Sequence, residues 1–314
     1  MEKVERIALG TFLNTDEKEV KKSIIYAVEK AGYRRIDTAA VYDNEKAVGK
    51  AIKDLIKRKV VKREELFITT KLHNKDHHPS DVAKAARLSL KNLQLDYIDL
   101  YLVHYPFAMQ YDKSGEILMH KDGTPKYAKI PLADTWKAME QLVTDGIVKR
   151  IGVSNYSIEQ MEKLRYSPGI TIQPFCNQVE MHLYNQNQPL REYLASRNIF
   201  IEAFSPLGSS PENRIDKDPI IMNDPVLNEI AKEMKVTPCQ LELKFLLQLG
   251  ENVVVVPKSV HEKYLLENIS LDFEINETNM NRLKMCERCY RLADSLSTMN
   301  NDWFITEDRE KKSD

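Results

Sequence analysis

Residues 66–104, LFITTKLHNKDHHPSDVAKAARLSLKNLQLDYIDLYLVH, hold the pattern that decides the fold. Two short β-rich runs, Phe67–Lys71 and Tyr97–His104, flank the stretch Asp81–Leu93, whose apolar residues recur at three- and four-residue spacing. A helix between two strands is typical of parallel neighbours, because a parallel pair needs a connection of a dozen or more residues. The segment therefore predicts a strand–helix–strand unit.

The same alternation runs through the whole chain of 314 residues. Further helical patterns cover Glu17–Ala31, Asn44–Lys57 and Pro131–Thr144. Helix starts are marked by predicted caps at Thr15, Asp43 and Ser80 and by the capping-box pair Ser157 and Gln160. The eight predicted strands are Ile7–Leu9, Arg35–Thr38, Phe67–Lys71, Tyr97–His104, Val148–Val153, Cys176–Glu180, Phe200–Phe204 and Val253–Val256.

Eight such units predict an α/β fold of the (β/α)8 TIM barrel type, with one domain over residues 1–314. Two domains are the alternative that length alone leaves open. An open doubly wound sheet also competes, but its dinucleotide-binding form needs G-x-G-x-x-G after a strand. The ten glycines do not form that motif, and the closest pair, Gly146 and Gly152, is six residues apart. A nicotinamide site would be built without the glycine-rich turn, which favours the mouth of a barrel.

The composition of the chain limits the classes of partner that it can bind. With 42% hydrophobic and 30% charged residues and a net charge of −1, the chain lacks the one-signed field that nucleic acid or an anionic membrane requires. The first residues do not resemble a signal peptide, no run of 18 apolar residues occurs, and the four scattered cysteines are typical of reduced thiols. We expect a cytoplasmic protein, a monomer, acting on a small molecule.

Three segments interrupt the alternation. They are Tyr105–Ile130, Pro206–Asn223 and a tail from about residue 291 to the end. The first two follow the carboxyl ends of strands, where barrel enzymes place their active sites, so they predict long active-site loops that wall a substrate site. Tolerated surface insertions are the alternative explanation.

Four titratable residues accompany the ends of neighbouring predicted strands. Asp37, Lys71 and His104 lie at the ends of the second, third and fourth strands, and Tyr42 follows Asp37 by five residues. Each has an ordinary structural explanation when taken alone: a capping aspartate, a lysine with a buried stem, a hydrogen-bonded core histidine or a packed tyrosine. Because the carboxyl ends of barrel strands meet at one rim, the four together predict one catalytic group.

The chemistry that suits this group is proton donation by a phenol. The pKa of a free tyrosine is about 10, roughly three units too high for an efficient acid at neutral pH. A cationic Lys71 within hydrogen-bond reach would favour the phenolate of Tyr42, and Asp37 would hold that lysine charged and in position. His104 would orient a substrate oxygen by a hydrogen bond. A carbonyl group that gains a proton on oxygen and hydride on carbon is the matching substrate.

The chain resembles the aldo-keto reductases, and among them the aldose reductase and xylose reductase type. The resemblance rests on the segments GYRRIDTAAVYDNEKAVGKAI, KREELFITTKL, LDYIDLYLVHYP, GIVKRIGVSNY, NQVEMHLY, FSPLGS and VPKS, which follow the family's order nearly end to end. It implies a (β/α)8 barrel that reduces aldehydes, aldoses and some ketones with NADPH and needs no metal. It also implies that Asp37, Tyr42, Lys71 and His104 are catalytic, with Tyr42 as the general acid.

The resemblance also assigns a cofactor site. Side chains at the nicotinamide carboxamide, stacking on its ring, covering the pyrophosphate, and contacting the 2′-phosphate and adenine are all implied. The implied cofactor-binding residues are Thr11, Phe12, Ser154, Asn155, Gln178, Phe204, Ser205, Leu207, Ser209, Lys258, Ser259, Tyr264, Glu267 and Asn268. The implied substrate-binding residues are Phe12, Tyr42, His104 and Tyr105.

Four positions depart from the family pattern. Phe204 stands where a tyrosine usually stacks on the nicotinamide, and Phe12 and Tyr105 stand where aldose reductases carry tryptophan. Tyr264 stands where an arginine commonly packs on the adenine and helps to bind the 2′-phosphate. Because tyrosine stacks but carries no positive charge, we expect NADPH to be preferred by a reduced margin, with NADH also used.

Two other functions fit parts of the pattern. Some family members hold NADPH as redox-sensing regulatory subunits with little turnover, and the long insertion after the fourth strand argues against that branch. A metal-dependent barrel hydrolase would carry H-x-H at a strand end, which is missing here. The pattern does not name the physiological substrate or the direction of the reaction in the cell.

Overall fold

The computed structural model describes residues 5–208 and 218–292. Within them, eight parallel strands follow one another around a barrel in chain order, which confirms the predicted fold and excludes the open doubly wound sheet. The strands are β1 Leu9–Gly10, β2 Arg35–Asp37, β3 Phe67–Leu72, β4 Ile98–Val103, β5 Val148–Ser154, β6 Cys176–Glu180, β7 Phe200–Phe204 and β8 Val253–Val256. Parallel bridges from Ile7 to Val255 and from Gly10 to Lys258 join β1 to the β8 side and close the ring.

Helices connect the strands and surround the barrel. They are α1 Glu17–Tyr26, which continues into the π-helical turn Ala27–Ala31, α2 Glu45–Lys57, α3 Pro79–Leu93, α4 Leu132–Thr144, α5 Ile158–Arg165, α6 Gln188–Ala195, α7 Pro225–Met234, α8 Pro238–Gln248, α9 Glu262–Ile269 and α10 Glu277–Lys284. Short 3-10 turns lie at Ala40–Tyr42, Arg63–Glu65, Asn74–Asp76 and Ile221–Asn223. None of the described helices is long and apolar enough to cross a bilayer.

The predicted helix starts are close but not all correct. The Ser157 and Gln160 capping box is present at α5. At α1, the side chain of Asp16 accepts the capping hydrogen bond in place of Thr15, and at α3 His78 does so in place of Ser80. Neighbouring polar residues compete for each cap, and the backbone angle at the helix start selects among them.

The barrel interior contains a buried apolar cluster. Its members are Leu100, Leu102, Cys176, Phe200 and Val254, with Phe67 and Phe175 packed against it. The ring centroids of Phe175 and Phe200 lie 5.0 Å apart, and those of Phe67 and Phe175 lie 6.2 Å apart. Because these three aromatic residues lie at or just before the amino ends of their strands, they close the bottom of the barrel.

The long loop after β4 has structure of its own. Ala108–Met109 and Tyr127–Ala128 pair as antiparallel strands, and further bridges join Tyr111 to Ile117 and Met119 to Pro125. The sequence pattern did not predict this hairpin. The loop predicted at Pro206–Asn223 is described only outside residues 209–217, and the predicted tail lies beyond the described residues after Leu292.

Gly49 lies where α2 packs closely on the end of α3. A Cβ at this position would lie 2.5 Å from the carbonyl carbon and oxygen of Leu93 and 2.6 Å from the oxygen of Asn92. Gly49→Ala gains about 1 kcal/mol in helix propensity, but we expect a net loss of about 1–3 kcal/mol in the free energy of unfolding, because backbone must move. Urea unfolding measures it, with the exposed Lys46→Ala as control; an unchanged midpoint for Gly49→Ala would contradict the packing.

Candidate active site

The four predicted catalytic residues lie together at the upper rim. Asp37 ends β2, Lys71 lies near the end of β3, His104 follows β4 directly, and Tyr42 lies in the 3-10 turn after β2. The Lys71 ammonium donates hydrogen bonds to Asp37 Oδ1 at 2.6 Å, to the backbone oxygen of Thr38 at 2.9 Å and to Tyr42 Oη at 3.3 Å. One buried cation therefore joins the carboxylate to the phenol.

Burial and pairing fix the charge of Lys71. Its side chain is 0% exposed, and burial alone would lower its pKa, but Asp37 and the Tyr42 oxygen outweigh burial and raise the pKa above its ordinary value. Burial raises the pKa of Asp37, and the ammonium and the amide of Gln178 oppose that shift. The cation is thus held in its charged form beside the phenol.

Tyr42 differs from expectation in the sign of its net shift. Burial raises its pKa above the ordinary value, while the charge and hydrogen bond of Lys71 act in the lowering direction and Asp37 opposes them. The contribution of Lys71 has the predicted sign, but the predicted net lowering is wrong because desolvation is the larger effect. The phenol therefore stays protonated at neutral pH, as a proton donor must.

His104 is held neutral. Burial lowers its pKa well below the ordinary value, and the neighbouring Lys71, His73 and His77 act in the same direction. Its ring meets the Tyr42 ring edge-on at 5.9 Å between centroids. A neutral imidazole beside the phenol can donate a hydrogen bond to a substrate oxygen without competing for the proton.

Three predicted cofactor residues lie next to this group. Gln178 donates its amide nitrogen to Asp37 Oδ2 at 2.8 Å, and Asn155 donates its own to the backbone oxygen of His104 at 3.0 Å. The Ser154 hydroxyl donates to the backbone oxygen of Gln178 at 2.8 Å and accepts from the Asn155 amide at 3.1 Å. In the described structure, these bonds use the nitrogen of each amide, which leaves the amide oxygens as acceptors.

The predicted pyrophosphate loop is described in part. Phe204 ends β7 and is half-buried, and Ser205 follows with φ of 48°. Leu207 packs against the large hydrophobic core cluster. Ser209 lies outside the described residues. Thr11, which follows β1, donates its hydroxyl to the backbone oxygen of Asp37 at 3.0 Å.

The residues predicted to hold the 2′-phosphate and adenine lie on the β8 side of the rim. Lys258 is exposed and bridges Gly10, whose partner on β2 is Asp37, so only one strand separates the lysine from the catalytic group. Ser259 accepts a hydrogen bond from the backbone N–H of His261 at 3.1 Å.

The other three members of this group lie on α9. The Tyr264 ring is 48% exposed, as a stacking surface requires. Asn268 is buried, and Glu267 accepts from the Thr237 hydroxyl at the start of α8. This region therefore offers the exposed ring of Tyr264 and the exposed ammonium groups of Lys258 and Lys263, the latter 5.9 Å from the centre of that ring.

Aromatic rings line the substrate side. Phe12 is 47% exposed, with its ring centroid 4.9 Å from that of Tyr42. Tyr105 stacks on His104 at 4.9 Å and 14°, Phe107 stacks on Tyr105, and Tyr127 from the far side of the hairpin meets Phe107 edge-on. The loop after β4 is therefore continuous with the rim, as expected for a substrate-facing wall.

Sequence reasoning missed three polar residues that support the group. Asn44 accepts from the Thr38 hydroxyl and donates to the backbone oxygens of Thr11 and Asn14, which ties the first loop to the second. Arg35 and Glu202 form an ion pair inside the barrel. A charged residue in the middle of a buried strand, as in FIEAF, was the available signal for Glu202.

Comparison with known proteins agrees with this geometry. A family model described as "Aldo/keto reductase family" matches residues 6–288. The chain is 36% identical over 304 residues to aldo-keto reductase family 1 member A1 of Gallus gallus, covering 95% of this chain and 90% of that protein. It is 42% identical over 255 residues to estradiol 17 beta-dehydrogenase 5 of Mus musculus, covering 80% and 77%. It is 40% identical over 283 residues to dihydrodiol dehydrogenase 3 of Bos taurus, covering 87% and 85%.

The buried histidines near the site predict a loss of stability in acid. Burial, helped by His73, lowers the pKa of His77 to about 3, and its side chain is 1% exposed. Below about pH 6.5 the unfolded chain binds a proton at this residue and the folded chain does not, so stability falls as pH falls toward 3. We expect His77→Phe to reduce the loss between pH 7 and 5 by roughly 1–2 kcal/mol. Urea unfolding at both pH values tests this, with the exposed His120→Phe as the matched control; equal pH dependence of His77→Phe and the parent protein would contradict it.

Proposed function

Because the chain belongs to the aldo/keto reductase family, we propose that it is an NADPH-dependent oxidoreductase that reduces aldehydes, aldoses and some ketones to alcohols. The observation that supports this best is the continuous hydrogen-bonded path from Asp37 through Lys71 to Tyr42 at the rim. A protonated phenol on a buried ammonium is suited to deliver one proton to a carbonyl oxygen.

The residues present fit a nicotinamide cofactor. The amide oxygens of Asn155 and Gln178 offer acceptors for the nitrogen of a carboxamide, the Ser154 hydroxyl lies next to the Asn155 amide, and Phe204 offers a half-buried aromatic face. Lys258 would bind the 2′-phosphate at the other end. When bound there, NADPH supplies hydride to the substrate carbon.

The chain's own residues carry the proton. His104, neutral, would hold the carbonyl oxygen by a hydrogen bond, and the Tyr42 hydroxyl would give its proton to that oxygen. The Lys71 ammonium, 3.3 Å from that hydroxyl, would stabilise the phenolate that remains, and Asp37 would keep the ammonium charged and in place. No group of three or more potential metal-ligating side chains was found in the described parts of the chain.

We also propose one barrel domain over residues 1–314, acting as a cytoplasmic monomer on small molecules. The net charge of −1 and the four free cysteines, of which only Cys176 is buried, are compatible with this proposal. A panel of aldoses, short aldehydes and ketones with both cofactors would define the substrate. Rapid oxidation of NADPH with glyceraldehyde supports the enzyme, whereas bound NADPH that never turns over would favour a regulatory subunit.

Replacing the phenol tests the acid. Tyr42→Phe keeps the ring that meets Phe12 and His104 but removes the proton, so we expect kcat for reduction to fall by about three orders of magnitude or more. NADPH binding, followed by fluorescence, should stay within about threefold. Tyr166→Phe, at a tyrosine 75% exposed on the surface, is the control. An active Tyr42→Phe enzyme would refute the role.

Restoring a cation at position 264 tests the cofactor assignment. We expect the parent protein to prefer NADPH over NADH in kcat/KM and Tyr264→Arg to raise that preference by about tenfold, since a second charge would face the 2′-phosphate. Tyr264→Phe, which keeps the ring and adds no charge, should leave the ratio unchanged. A parent protein that prefers NADH would contradict the assignment of Lys258.

A further inference from the structure

A second buried ion pair lies inside the barrel beneath the catalytic one. Arg35 on β2 donates to Glu202 Oε1 on β7 at 2.5 Å, and both side chains are 2% exposed or less. The Arg35 guanidinium also donates to the backbone oxygen of Glu5 and lies 4.3 Å from the centre of the Phe67 ring. Such a pair is costly to bury unless its geometry is well satisfied.

Gln178 joins the two pairs. Its amide nitrogen donates to Asp37 Oδ2 at 2.8 Å and to Glu202 Oε2 at 3.0 Å. Between two carboxylates only the nitrogen end of the amide can donate both bonds, so Glu202 together with Asp37 fixes which way the amide points. The amide oxygen is thereby left for a ligand.

We propose that Glu202 and Arg35 are positioning residues, which orient Gln178 and balance the charge beneath the Asp37–Lys71 pair during proton transfer from Tyr42. The inference rests on the proposed function. Glu202 is faced by Arg35 and Asp37 from β2 and by Cys176 and Gln178 from β6, and Asp37 in turn accepts a hydrogen bond from Lys71 on β3.

Charge balance gives the expected direction of the effect. Asp37, Lys71, Glu202 and Arg35 sum to zero when all four are ionised. Glu202→Gln leaves the other three ionised side chains with one net positive charge. That charge favours the phenolate of Tyr42 and so lowers the pKa of the phenol. Tyr42 is also faced by His104, with His73 and His77 behind it, and the substitution leaves these three unchanged. Arg35→Met with Glu202→Gln removes both charges and restores the balance.

The experiment measures kcat of carbonyl reduction by the full enzyme, saturated with NADPH, against pH. Protonated Tyr42 is needed, so kcat falls on the alkaline side of the profile. We expect Glu202→Gln to move that alkaline limb down by about 0.5–1 pH unit and the double variant to return it to the parental position. Glu140→Gln, which removes a buried carboxylate on α4 outside the barrel axis, should leave the limb in place.

The outcomes separate the two proposals. A parent protein that does not reduce carbonyl substrates would contradict the proposed function itself. An active parent whose alkaline limb does not move in Glu202→Gln, while unfolding shows a stability loss like that of Glu140→Gln, overturns the positioning role alone. If Glu202→Gln does not fold, Glu202→Asp decides: the shorter carboxylate should keep the limb but lower kcat about fivefold or more, and a parental kcat overturns the inference.

Discussion

The structure depends on the stabilisation of one charge away from water. An ammonium placed inside a barrel must be paired and hydrogen-bonded, since an isolated buried charge is too costly to persist. Lys71 meets that requirement with three oxygens from β2 and the turn after it. The ends of β2 and β3 are therefore fixed relative to each other, and the phenol is held on the same cation.

The buried groups below Lys71 in the barrel are also paired and hydrogen-bonded. Asp37 accepts from Gln178, Gln178 donates to Glu202, and Glu202 is paired with Arg35. Paired polar groups therefore extend from the rim down to Arg35, which lies against the Phe67 ring at the amino ends of β2 and β3. Barrel interiors are usually filled by layers of branched apolar side chains. This interior also contains a chain of hydrogen-bonded charged side chains, so a change of charge at one of them alters the electrostatic potential at the others.

The barrel and the position of its catalytic group were predictable from the sequence. The periodicity of apolar residues predicts the strands, and parallel strands of a barrel place their carboxyl ends on one rim. That argument located Asp37, Lys71 and His104 without coordinates. The net pKa shift of Tyr42 was missed because burial of a loop residue cannot be read from its neighbours in the chain. Arg35 and Glu202 were missed because 167 residues separate them, and each alone looks like an ordinary strand charge. The hairpin after β4 was missed because its strands have only two residues each.

The two-residue strand β1 has a further consequence. Gly10 pairs with Asp37 on one side and with Lys258 on the other, so a very short strand forms the seam where the barrel closes. A dinucleotide that contacts both sides of this seam would bind only while the seam is shut. Its binding free energy would then add to the free energy of barrel closure. Ligand affinity and fold integrity would be thermodynamically linked at this one strand.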